Sequence, residues 1–162
     1  MKKFYKFYTE IKNTLEKITT EVILSSDRLN EGYAFETITF NDVSTLKNVL
    51  ETSKSNLIEK YNTKIISEQY EHDSISDAFN ISNFFIDTKL RRCIYVLDEL
   101  INYLNYAFND ITRIDSKITC SIINHYIELF LETVDEINNE ISRVKLLNET
   151  EAEAGAGAVN YD

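Results

Sequence analysis

Apolar residues recur at alternating spacings of four and three along nearly the whole chain, and no proline interrupts them in 162 residues. Such a pattern puts one apolar stripe on an α-helix, since residues three and four apart share a helical face. The first stretch carries Phe4, Tyr8, Ile11, Leu15, Ile18, Val22 and Leu29, with Ser25 in the one missing step. The last carries Ile123, Ile127, Phe130, Val134, Ile137, Ile141 and Val144. Between them, Val43, Leu46, Leu50, Leu57, Tyr61 and Ile65 form a second face, interrupted by Ser53, and Leu90, Ile94, Leu97, Ile101, Leu104 and Phe108 a third.

The gaps between these stretches hold helix-boundary chemistry. Gly32 follows the first stripe and suits a C-terminal stop, because glycine accepts the left-handed conformation that ends helices. Residues 33–41 alternate weakly and have no convincing partner strand, so they read as a connection whose aromatics fold over one end of the molecule. Asn41 and Asp42 are good N-caps, and Phe40 could staple against Leu46. Ser74-Ile75-Ser76-Asp77 resembles a capping box, and Thr112-Arg113-Ile114-Asp115 is a similar start. The polar run Asn80–Asn83 suggests a break near residue 83. Gly155 and Gly157 argue against helix in the terminal segment.

The expected fold is therefore all-α: an elongated four-helix bundle, antiparallel and up-down-up-down, with a short flexible C-terminal tail. The helices span about 3–30, 42–72, 75–109 and 113–148 within a single domain, 1–149, and the tail is 150–162. Short connections favour antiparallel neighbours, and helices of this length would be ~40–50 Å long. A long helical hairpin that completes its core in a dimer would show the same periodicity. Hydrophobic residues make up 43% of the chain, too many for a disordered protein. No run of 18 apolar residues exists, so membrane insertion is not expected. The start, Met1–Tyr8, lacks the apolar core of a signal peptide, and the two cysteines fit a reducing interior. The expected location is cytoplasmic or another intracellular compartment.

One region is more apolar than a single core stripe requires. Residues 93–108 include Ile94, Tyr95, Val96, Leu97, Leu100, Ile101, Tyr103, Leu104 and Tyr106, and residues 122–131 repeat the feature around Tyr126. A helical hairpin turning near residue 110 sets the two regions side by side. Deeper burial of this end is one explanation. The other is a partner or self-association surface, with Tyr95, Tyr103, Tyr106 and Tyr126 as anchors, since aromatic-rich patches favour interfaces.

The fourth stretch has a second face: Glu128, Glu132, Glu136 and Glu140 recur every four residues, with Asp135 beside them. No Lys or Arg lies between Ile118 and Ser142 on the same helix to offset this ridge. The formal net charge is −10, with 11 acids and 10 bases in residues 1–72 but 16 acids and 7 bases beyond them. Direct nucleic-acid binding, which needs a basic surface, is not expected.

Catalytic patterns are missing. The two histidines, His72 and His125, lack a glutamate three residues before them, so the di-metal pattern of four-helix bundles is absent. His125 reads as a packed, hydrogen-bonded residue. There is no phosphate-binding glycine loop, zinc motif or nucleophile turn. Cys93 and Cys120 read as small core residues in a register poor for a disulfide. No cofactor, metal or catalytic residue is expected, and an enzyme is not. The leading expectation is a non-catalytic protein-protein interaction or assembly subunit, with a protein partner or homo-oligomer bound through the Tyr/Ile-rich region. An acidic inhibitory or antitoxin-like protein using the Glu128–Glu140 ridge is the alternative, and an apolar-ligand carrier a further one.

Overall fold

The computed structural model describes residues 2–34, 40–61, 76–108 and 116–161, with side chains described for 6–31, 41–61, 81–107 and 118–146. Four helices account for these residues: α1 (Lys2–Ala34), α2 (Phe40–Lys60), α3 (Ser76–Phe108) and α4 (Ser116–Tyr161). The principal interfaces are α1 with α2, α2 with α3, α3 with α4 and α4 with α1, which closes the helices into a four-sided bundle.

Cross-helix pairs show how the helices run. On α3 and α4, Lys89 pairs with Glu136 and Ser82 with Arg143, so numbers fall on one helix as they rise on the other. On α1 and α4, Asn30 meets Asn124, while Glu16 and Thr20 share a groove with Val134 and Asn138. Tyr61, just beyond α2, reaches back to Thr14 and to the ring of Phe7 near the start of α1. Tyr8 bonds Asn83 near the start of α3, which places that start at the same end of the bundle as Tyr61. Each sequential neighbour thus runs opposite to the one before it.

The core follows the four-three stripes. Tyr8, Ile11, Leu15, Ile18, Val22 and Leu29 of α1 are buried, and Ser25 occupies the vacant step with its hydroxyl donated to the Glu21 carbonyl at 2.9 Å. Val43, Leu46, Leu50, Leu57 and Tyr61 are buried, with Ser53 between them. On α4 the whole expected stripe from Ile123 to Val144 is buried. Such ladders interlock because side chains one turn apart fill the gaps of the facing helix.

The structure revises several sequence expectations. Gly32 does not stop α1, which continues to Ala34. One internal glycine costs about 1 kcal/mol relative to alanine, less than a well-packed helix can absorb. Asn41 and Asp42 lie inside the first turn of α2, which already begins at Phe40. Its regular part ends at Lys60, and the expected continuation to residue 72 lies outside the described residues, as do residues 35–39, the boxes' first residues Ser74 and Thr112, and His72.

No break occurs near residue 83. Ser82 and Asn83 are each 1% exposed and find partners on other helices, so their polarity serves cross-helix bonding and leaves the backbone helical. The core stripe of α3 is wider than the expected one, whose Leu90, Leu97, Ile101 and Leu104 are all buried. Ile86, Cys93, Val96 and Leu100 are buried beside them, while Ile94 is half-buried at the margin. A helix packed by both α2 and α4 buries a broader face than a single stripe provides. Finally, α4 does not end near Asn148; its backbone is helical through Glu151–Tyr161. The alanines and glutamates of that segment are strong helix formers, which offsets its two glycines.

Candidate interaction surface

The wide apolar region of α3 and α4 divides on folding. Val96, Leu100 and Ile101 enter the core, and Ile94, Tyr103, Tyr126, Leu129 and Leu131 are half-buried against it. Tyr95 and Tyr106 point away from the core and are 63% and 80% exposed. Of the four anchor candidates, two are therefore solvent-facing and two help to pack the bundle. Tyr126 also contacts the ring of His125 at 5.9 Å between centroids. His125 itself is exposed rather than packed, because it lies on the outer side of α4.

Two further apolar side chains join Tyr95 and Tyr106 on α3. Ile81 and Phe84 are each 70% exposed; the third apolar face read from sequence begins at Leu90 and includes neither. The signal that finds them is spacing: Phe84, Tyr95 and Tyr106 stand eleven residues apart. Eleven residues make about three turns with a drift of only ~20°, so the three rings follow one line on the outward face, each ~16 Å from the next. Thr88, Arg91, Arg92 and Asn102 are exposed between them, and Glu99 is half-buried.

The acidic ridge of α4 is partly neutralised from outside its own run. Lys89 of α3 pairs with Glu136. Arg143 donates from Nη2 to Glu140 at 2.5 Å and from Nε to both of its carboxylate oxygens at 3.2 Å. The Arg143 hydrogen bond, aided by one from Ser82, holds the Glu140 carboxyl below its ordinary pKa against the opposing effect of burial. Glu128, Glu132 and Asp135 are exposed. Two of the five carboxylates thus tie α3 and α4 together, and the ridge is weaker than its sequence spacing implies.

The remaining polar chemistry is structural in character. Cys93 and Cys120 are free and buried, and burial pushes the Cys93 thiol up to about 12. Burial raises Cys120 as well. A thiol held neutral is a poor nucleophile. A groove of about 330 Å³ between α1 and α4 is lined by Lys12, Glu16, Thr19 and Asp135 among others, a polar mixture ill-suited to an apolar ligand. Among the described residues no three His, Cys, Asp or Glu side chains converge as a metal site, and no helix is long and apolar enough to cross a membrane.

Comparison of the chain with protein-family models, with curated proteins and with solved structures gives no match.

Proposed function

We propose that the protein is a non-catalytic interaction or assembly subunit whose binding face is the outward side of α3. The observation that carries this reading is the line of Phe84, Tyr95 and Tyr106, with Ile81 beside Phe84, all more than 60% exposed on a helix whose opposite side already fills the core. Packing does not need these side chains. Aromatic residues that add large area with few rotatable bonds are the usual anchors of protein interfaces, and charged groups such as Arg91, Arg92 and Glu99 suit a rim. The reading takes the surface from α3 alone, because Tyr103 and Tyr126 are committed to the bundle.

The acidic-ridge alternative has less support, since Glu136 and Glu140 have internal partners. The apolar-carrier alternative finds little support in a polar-lined groove.

The test is site-specific crosslinking. A photo-reactive aromatic amino acid replaces Tyr95 in one variant and the exposed Asn48 of α2 in another, within cells that naturally make the protein. A defined adduct at position 95, missing at position 48 and lost when Phe84→Asp is added, is expected. Equal labelling at both positions, or none at 95, overturns the proposal.

A further inference from the structure

We infer that the outward face of α3 binds a second copy of this chain, with the two α3 helices antiparallel and their Tyr95 residues on the two-fold axis. This rests on the interaction reading above and names its partner.

The argument is the order of side chains along the face. A two-fold interface is self-complementary: whatever residue i meets on the second copy must meet residue i in return. About Tyr95 the face of α3 reads nearly as a mirror of itself in size and as an inverse of itself in charge. Phe84 lies eleven residues before Tyr95 and Tyr106 eleven after, so antiparallel pairing sets each Phe84 opposite a Tyr106 and brings the two Tyr95 rings together. Thr88 falls opposite Asn102 in the same register. The basic residues Arg91 and Arg92 lie four and three positions before Tyr95, and the acidic Asp98 and Glu99 lie three and four after it.

The sides of the face also agree. A two-fold axis lying in the interface, perpendicular to α3, keeps each margin of the face on its own side. The margin toward α2 is marked by Asp98, which accepts a bond from Lys54 of α2 at 2.5 Å. Helical geometry puts Arg91 on that same margin, since 91 and 98 are two turns apart. Arg92 and Glu99, again two turns apart, share the margin toward α4. Arg92 of one copy therefore meets Glu99 of the other, and Arg91 meets Asp98, with every pair occurring twice. Arg91 pairs through Nε with Asp87 at 3.2 Å, yet its side chain is 62% exposed and so open to a second partner. The reverse order, with like charges opposite one another, would have argued against pairing.

One helical face is smaller than the roughly 800 Å² per partner of a standard stable interface. The net charge of −10 on each copy adds repulsion. The dimer should therefore be concentration-dependent, with a dissociation constant in the micromolar range.

The register gives a test in which two damaged variants repair one another. Arg92→Glu sets Glu against Glu at both pairs of a homodimer, and Glu99→Arg sets Arg against Arg. In a mixture of the two, both pairs become opposite charges. Sedimentation of the full chain from micromolar to millimolar concentration is expected to show a wild-type dimer, each single variant weakened about tenfold or more, and recovery in the equimolar mixture. Recovery also shows that each variant is folded. A wild-type chain that stays monomeric throughout overturns the proposal. So does a dimer indifferent to both variants, or variants that fail to rescue one another. The crosslink at position 95 separates the two levels of the reading: an adduct of twice the chain's mass supports self-pairing, whereas an adduct with a different protein leaves the interaction surface standing and overturns the second copy as its occupant.

Discussion

Cys93 sits at the centre of the α3 core stripe with no exposed surface, and burial lifts its thiol to about 12 from an ordinary value of 9.0. Because the folded pKa is the higher one, its contribution is intact below pH 9 and declines as pH rises toward 12, where the unfolded chain ionises first. Cys93→Ala should flatten the fall in stability over that alkaline window, read from urea midpoints at successive pH values. In the native protein, Cys93 should react with a thiol reagent no faster than the chain opens. Glu140 behaves in the opposite sense. Its folded pKa is depressed, so the stabilisation from Arg143 is present above the ordinary value of 4.5 and is lost as the solution is acidified through the lower, folded value. Glu140→Gln should therefore reduce stability near neutral pH and shrink its acid dependence. Tyr8 and Asn83 form a third residue-scale feature, a buried hydrogen bond 75 residues apart in sequence. Tyr8→Phe leaves the Asn83 amide without that donor and should lower stability by about 1–3 kcal/mol, measured by denaturant unfolding.

At the scale of elements, the four helices answer to different controls. α1 and the first half of α4 carry stripes one residue wide, and their buried sets match the spacing read from sequence. α3 carries apolar residues around most of its circumference between Cys93 and Ala107, so its buried set is wider than the stripe read from spacing. Cys93, Val96 and Leu100 are buried beside Leu90, Leu97, Ile101 and Leu104, and Tyr95 faces outward on the opposite side. Leu97 lies in the middle of this buried set and is 1% exposed. Leu97→Ala should cost about 2–5 kcal/mol, as large-to-alanine changes in cores do. Tyr95→Ala should change monomer stability by no more than about 0.5 kcal/mol, because it removes no core contact. Equal losses at the two positions, in thermal or denaturant melts at low concentration, would count against the outward placement. At the far end of α4, Gly155→Ala and Gly157→Ala should each add about 1 kcal/mol of local helix stability, seen as greater protection of the segment's amides.

For the whole molecule, the proposed α3–α3 pairing would link association to stability. A partner that binds the folded chain and not the unfolded one raises the apparent melting temperature as its concentration rises. The wild-type melting temperature should therefore climb with protein concentration, and Tyr95→Asp should abolish the climb while leaving the low-concentration value nearly unchanged. The bundle's closed ring of helix contacts explains why the second effect should be small. All four helices complete one core within a single chain, so the helical-hairpin arrangement that needs a dimer to finish its core does not apply.

The all-helical class, the number of helices and most of α1, α2 and α4 follow from sequence because they depend on local periodicity, which adjacent residues determine. The acidic spacing on α4 and the aromatic excess on α3 were equally visible there. What tertiary structure decided is which groups neutralise or cover one another. Lys89 lies 47 residues before Glu136, and Ser82 lies 61 before Arg143; no local pattern announces such pairs. The same holds for the outward face of α3. Sequence showed an apolar excess around α3, and only the positions of α2 and α4 determined which rings would be half-buried and which would remain in line on the surface.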